Sequence, residues 1–193
     1  SYQLPVTSEQ SSETSTPLHV DTSTHAYEFI IKREEHGTWW SVAICDQDIW
    51  HEMHVWWPMG NFVLQDTDTP KLFVGTGTGF APLYYQMSAM FDSDVLQYVP
   101  TLSHFVFGVR YEDDLFYQDT LSSWVDDHED FSFQLCVSRP KWVHPGHHVG
   151  YVTDLLTPEY LSEQGFEISN LEVYICGSPA MVKDAREKLE RIG

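Results

Sequence analysis

Eight consecutive residues carry the plainest chemical signal in the chain: Gly75-Thr76-Gly77-Thr78-Gly79-Phe80-Ala81-Pro82. A buried-strand pattern at 72–74 leads into them. A helical pattern at 81–91 follows, with Pro82 in its first turn, where a missing N–H costs nothing. Glycines let a backbone come close to an anion, and the free N–H groups at a helix start attract negative charge. The arrangement therefore suits the binding of a pyrophosphate, with the Thr76 and Thr78 hydroxyls adding hydrogen bonds. Its spacing is not Gly-x-Gly-x-x-Gly, because Phe80 stands where the third glycine would be. Taken alone, the glycines fit a tight strand-to-helix turn as well as a phosphate cradle.

The elements around the turn narrow the choice. Residues 104–109, 131–137 and 172–176 read as strands, and 113–125, 154–164 and 179–192 as helices, the second interrupted by Pro158. The last is clearly amphipathic, with Met181, Val182, Ala185 and Leu189 apolar against Lys183, Glu187, Lys188 and Arg191. Strand and helix alternate throughout, which predicts a parallel, doubly wound sheet with helices on both faces. Upstream the rhythm differs. Residues 7–25 are rich in Ser, Thr and Glu and read as loop; 26–33, 53–57 and 62–64 read as short strands; 66–70 reads as a polar linker. The expected organisation is a small all-β piece over 1–66 and an α/β domain over 67–193.

Composition excludes several function classes. A net charge of −19 on 193 residues repels nucleic acid and anionic membranes. No apolar run of about 18 residues exists to span a bilayer, and residues 1–6 lack a signal pattern. The three cysteines, Cys45, Cys136 and Cys176, are far apart, which suggests neither a disulfide framework nor an iron–sulfur cluster and points to the cytoplasm. Any iron that receives electrons from this chain would sit on another. His51 and His54, and the group His144, His147 and His148, lack the closely spaced partners of a zinc site, so no metal is expected. The acidic run Glu112, Asp113, Asp114, Asp119, Asp126, Asp127, Glu129 and Asp130 reads as a solvated face, with a docking patch for a basic partner as the alternative.

Several segments in order resemble the ferredoxin–NADP reductase superfamily. Gly75 to Pro82 is similar to its glycine-rich turn. Phe107-Gly108-Val109-Arg110, followed by Asp114-Leu115-Phe116-Tyr117, resembles its second strand and next helix. Cys136-Val137-Ser138-Arg139-Pro140 resembles the end of its third strand, Gly150-Tyr151-Val152-Thr153-Asp154 its Gly-x-Val-Thr-Asp segment, and Cys176-Gly177-Ser178-Pro179-Ala180-Met181 its Cys-Gly-x-Pro-x-Met turn. Upstream, Trp57-Pro58-Met59-Gly60-Asn61-Phe62 is similar to the end of the family's flavin barrel, and Ser1-Tyr2-Gln3-Leu4 to the end of its flavin motif. The chain would then begin in mid-barrel, giving a partial antiparallel β-barrel before the α/β domain. Gln3 stands where Ser or Thr is usual, and Trp57 replaces a glycine.

The resemblance implies an oxidoreductase that passes hydride from NAD(P)H to FAD and electrons on to a protein or small-molecule acceptor on a separate chain. It places Gly75, Thr76, Gly77, Thr78 and Gly79, with Pro82 behind them, on the dinucleotide pyrophosphate. Cys176, the candidate catalytic residue, would lie by the nicotinamide with Gly177 and Met181. Arg110, Ser138 and Arg139 would face the adenosine ribose. Arg139 suits a 2′-phosphate, but the following Pro140 is common where the cofactor is unphosphorylated, so NADH and NADPH both stay open. Tyr2 would meet the flavin. The altered barrel positions leave a second expectation open: a nucleotide-binding or interaction module without flavin or catalysis.

Overall fold

A computed structural model describes residues 16–22, 25–33, 39–47, 60–92 and 101–193. The chain divides into two compact units, Ser1–Asn61 and Phe62–Gly193.

In the first unit, β1 (Thr16–Thr22) and β2 (His25–Ile31) form an antiparallel pair, in register from Thr16 opposite Ile31 to Thr22 opposite His25. Residues 7–25 were expected to be loop. Thr16, Val20 and Thr22 are β-branched, and Pro17 is tolerated because, among the described residues, both strands of this sheet are edges. A short helix, α1 (Trp39–Cys45), follows, and its sequence gave no sign of it. Arg33 reaches both oxygens of Asp46 at 3.2 and 3.3 Å, an exposed pair that contributes little. The expected strand at 53–57 and Tyr2 lie outside the described residues.

Among the described residues the second unit is built on five parallel strands: β3 (Lys71–Thr76), β4 (Ser103–Val109), β5 (Phe131–Val137), β6 (His147–Val149) and β7 (Glu172–Cys176). Their order across the sheet is β6-β5-β4-β3-β7. The chain moves outward from β3 to β6, then returns to pair β7 against the other side of β3, so the winding reverses between β3 and β7. β6 was not expected; three residues are too few to show alternation.

Period-two alternation gives the sheet two different faces. Phe73, Phe105, Phe107 and Phe131 point to one, where α2 (Phe80–Phe91) and α3 (Gln118–Asp127) lie. There the Phe80 ring sits 5.7 Å from Phe105, 5.0 Å from Phe107 and 4.7 Å from Phe116, and Trp124 meets Phe131 edge-on. Leu72, Val74, Val106 and Cys136 point the other way. They pack with Leu161 of α4 (Pro158–Glu163) and Ala185 of α5 (Pro179–Ile192).

The expected helix at 113–125 is broken. A 3₁₀ turn covers Glu112–Asp114, and Tyr117 adopts a left-handed φ of 57° before α3 begins. Packing of Phe116 and Tyr117 on Phe80 overrides the local helical spacing. Pro158 starts α4 rather than interrupting a longer helix, with the Thr157 side chain accepting from Tyr160 N–H. Residues 62–64 form no ladder: Gln86 Nε2 donates to the Phe62 carbonyl and Gln65 N–H donates to Tyr174 Oη, so side chains satisfy backbone that a neighbouring strand would otherwise pair.

The base of the sheet is fastened by a polar cluster. Lys71 Nζ, 1% exposed as a residue, donates to the Thr67 and Thr69 carbonyls and to Glu172 Oε2 at 3.1 Å. Burial pushes the Glu172 carboxyl up, but hydrogen bonds from Thr67, Lys71 and Tyr174 and the Lys71 charge outweigh it and hold the group below its usual range. The polar 66–70 segment is thus tied down at the end of the sheet opposite to the glycine turn.

His104 is a second buried polar group, at 2% exposure on the aliphatic face, with ring nitrogens 2.7 Å from Ser132 Oγ and 2.8 Å from Tyr160 Oη. Burial lowers its pKa from 6.5 to about 4. Between those values the unfolded chain binds a proton that the folded chain does not, so stability falls as pH drops from 6.5 towards 4. The contribution is about 3 kcal/mol at ~1.4 kcal/mol per pH unit. Urea denaturation at pH 7 and pH 4.5 should show a smaller difference for His104→Gln than for the unaltered chain; equal differences would refute this origin of the acid sensitivity. Among the described residues, no helix is long and apolar enough to cross a membrane.

Candidate nucleotide-binding site

In a parallel sheet all strands end on one edge, and a ligand crevice opens where the winding reverses. Here that place lies between the carboxyl ends of β3 and β7, where Gly75 pairs with Cys176. The structure therefore sets the glycine turn and the Cys176-Gly177 turn side by side. Ser178 N–H donates to Thr76 Oγ1 at 3.4 Å, and Met181 opens α5 with its N–H on Ser178 Oγ.

The three glycines of the turn have three distinct reasons. A Cβ at Gly75 would meet Leu83 Cδ1 at 2.9 Å and Phe105 at 3.3 Å, so this glycine lets α2 close on the sheet. A Cβ at Gly79 would land on the Cys176 carbonyl, so this one lets the helix start abut β7. Gly77 has a left-handed φ of +54°, and a Cβ there would meet nothing within 4 Å. Its side of the turn is open.

Capping distinguishes this helix start from those of α4 and α5, and α3 shares its lack of a side-chain cap. Thr157 caps α4 and Ser178 caps α5, each accepting a backbone N–H. The 3₁₀ turn Gly77–Gly79 and α2 behind it have no side-chain cap. Pro82, in the first turn of α2, brings no N–H that would need a partner. The Phe80 N–H bonds back to the Gly77 and Thr78 carbonyls, and the other N–H groups of the turn lie with the positive end of the helix dipole at an open glycine. This donor set fits a pyrophosphate.

The other expected residues fall on the same edge. Arg110 follows β4, and Ser138 and Arg139 follow β5. They are held together by Ser138 N–H on the Val109 carbonyl (3.1 Å) and Arg139 N–H on the Arg110 carbonyl (2.8 Å). Both arginines are exposed, and among the described residues neither has an ion-pair partner. β5 lies three strand spacings from β7, about 14 Å at ~4.8 Å per strand. Gly108 bridges the interval: a Cβ there would meet Val152 Cγ1 at 2.6 Å and Thr76 Cγ2 at 3.2 Å.

Cys176 is half-buried. Burial raises its thiol pKa, only partly offset by the Gly177 N–H, so the group is a neutral thiol near pH 7 and not a ready nucleophile. Cys136, pushed up to about 12 by burial, is a core residue. The histidines disperse: the His144 and His147 rings lie 4.4 Å apart, while His148 Nε2 sits 3.6 Å from Asp154. Among the described residues no three metal-ligating side chains converge.

One site-edge residue was misread. Glu112 is not part of a solvated acidic face. It is 8% exposed, and its carboxylate accepts the Lys141 and Trp142 N–H groups, each at 3.1 Å. No local pattern announces this, because its partners lie about 30 residues on.

The profile of the family described as "oxidoreductase NAD-binding domain" matches residues 73–187. The chain is 31% identical over 180 residues to the reductase component of propane 2-monooxygenase from Rhodococcus jostii (strain RHA1), covering 93% of this chain and 45% of that one. It is 31% identical over 136 residues to the toluate 1,2-dioxygenase electron transfer component of Pseudomonas putida, covering 70% and 37%. The chain thus spans less than half the length of these curated relatives. Among solved structures, an Amycolatopsis cytochrome P450 reductase superposes with a TM-score of 0.67 at 19% identity, covering 98% of this chain and 60% of that one. A ferredoxin NADP+ reductase from Neisseria gonorrhoeae with bound FAD and NADP superposes at 0.64 and 16%, covering 92% and 77%. At these identities the superpositions establish the fold alone.

Proposed function

The chain belongs to the oxidoreductase NAD-binding domain family and has the ferredoxin–NADP reductase type of fold, and from that we propose that it serves an NAD(P)H-dependent flavin oxidoreductase, passing hydride from the nicotinamide to FAD and electrons on to a protein or small-molecule acceptor on a separate chain. The observation that carries the proposal is the uncapped, open glycine turn at the winding reversal, beside the half-buried Cys176. Curated relatives described as reductase and electron transfer components support the same role.

In this reading residues 67–193 are the NAD(P)-binding domain. Residues 1–66 contribute to an FAD-binding β-barrel, with Tyr2 at the flavin. Gly75, Thr76, Gly77, Thr78 and Gly79 hold the pyrophosphate. Arg110, Ser138 and Arg139 receive the adenosine ribose. Cys176, Gly177 and Met181 border the nicotinamide, where a neutral thiol packs against a planar ring without reacting with it. FAD, when bound, supplies the step from hydride to single electrons. The three free thiols suit a reducing compartment, and we place the protein in the cytoplasm.

The visible spectrum of the purified chain after incubation with FAD tests the proposal. A retained flavin absorbance, bleached by NADH or NADPH without oxygen, is the expected result, and the more effective donor identifies the preferred dinucleotide. Dinucleotide binding by calorimetry with no flavin uptake would instead identify a nucleotide-binding module.

A further inference from the structure

We infer that Glu112 is a positioning residue for the adenosine end of the dinucleotide, fixing the backbone after β5 so that Arg110 and Arg139 stand together as an anion-binding pair. This rests on the dinucleotide reading above. The segment after β5 is irregular from Ser138 until β6. Its Lys141 and Trp142 N–H groups are adjacent, and each meets one oxygen of the Glu112 carboxylate. Among the described residues no other acceptor serves these two amides.

Two further ties close the same gap. Lys141 Nζ is paired with Asp113 Oδ2 and lies 5.8 Å from the centre of the Tyr111 ring, and Arg139 N–H bonds the Arg110 carbonyl. The strand exits are thus bound at three levels, and the Glu112 bonds are part-buried while the Lys141–Asp113 pair is exposed. Burial pushes the Glu112 carboxyl up, but N–H groups of Glu112, Trp142 and Lys141 and the Lys141 charge outweigh it and keep the group below its usual range. Its negative charge is therefore committed to amides of the segment that carries the exposed Arg139.

In a chain of net charge −19, two arginines without ion-pair partners among the described residues make a local island that attracts an anion. Such a pair binds well only if its geometry is fixed beforehand. Exposed Trp142 and Tyr111, at 55% and 39%, offer flat faces alongside for a purine. The occupant this chemistry fits is an adenosine phosphate. A 2′-phosphate or the 5′-phosphate would satisfy the arginines, and separate probes distinguish the two.

The test titrates 5′-AMP, 2′,5′-ADP and nicotinamide mononucleotide against the full chain and its Glu112→Ala and Glu112→Gln variants, with amide hydrogen exchange read at Lys141 and Trp142. The expected result is faster exchange at both amides and at least tenfold weaker binding of the adenosine probes in Glu112→Ala. A smaller loss is expected in Glu112→Gln, which keeps one carbonyl acceptor, with mononucleotide binding unchanged. A merely structural role would weaken all three probes alike. Faster exchange in either variant with adenosine binding within twofold of the unaltered chain overturns the proposal. If the unaltered chain binds neither adenosine probe, the dinucleotide reading of this edge falls, and the proposal with it.

Discussion

Replacing Gly79 with alanine is expected to lower the melting temperature by roughly 5–10 °C and to abolish dinucleotide binding. The backbone at Gly79, with φ −63° and ψ −9°, is ordinary for any residue, so conformational strain is not the cause. The cause is contact. An added Cβ would fall on the carbonyl group of Cys176 and 2.7 Å from Gly177 N. All of these are backbone atoms of a strand end, so no side chain can swing aside. Either α2 backs away from the sheet, opening the packing of Phe80 and Leu83, or β7 shifts at its end. Overpacking of this kind costs about 1–3 kcal/mol or more, and ~2–4 °C accompanies each kcal/mol in a chain of this size. Both routes separate the two turns that flank the crevice, so binding fails with the packing. A melting temperature within about 2 °C of the unaltered chain would show that the turns do not abut as described.

The legible parts of this fold are those with long, regular patterns. The alternation of apolar strands and helices gave β3, β4, β5, β7, α2 and α5 nearly at their bounds, because each buries a face whose period is written in consecutive residues. β1 was hidden in a Ser- and Thr-rich stretch whose strand character depends on a partner, and β6 is too short for any period. The helix expected at 113–125 failed for a different reason. Leu115, Phe116, Leu121 and Trp124 have helical spacing, but Phe116 and its neighbour Tyr117 are drawn to Phe80, which lies before β4 in sequence.

At the site, the glycine turn and the strand-end residues were legible as a set, since each follows a strand and parallel strands end together. The division of labour among Gly75, Gly77 and Gly79 was not. It depends on Leu83, Phe105 and Cys176 approaching from other elements. Glu112 and Lys71 were invisible for the same physical reason. A buried charged side chain is explained by its partners, Trp142 and Lys141 in one case and Glu172 in the other, and those partners are brought near only by the folded sheet.

Gly77→Ala should do the opposite of Gly79→Ala: binding is lost while the fold survives. Here the backbone is the special feature. A φ of +54° costs an alanine about 1–2 kcal/mol, which corresponds to a fall of roughly 2–8 °C, yet the added methyl touches no protein atom. The space it enters is the open side of the turn, in front of the uncapped first-turn N–H groups. A pyrophosphate drawn to those groups must pass through that space, so the methyl is expected to weaken NADH or NADPH binding about 100-fold, or ~2.7 kcal/mol. Strain and obstruction can be separated with Gly77→Asn. Asparagine tolerates left-handed backbone better than alanine but carries the same Cβ and a larger side chain. The two variants should therefore differ in melting temperature, with asparagine the more stable, and lose dinucleotide affinity together in calorimetric titration. If both keep affinity within threefold of the unaltered chain, the phosphates do not approach over Gly77, and the role of the turn is confined to joining β3 to α2.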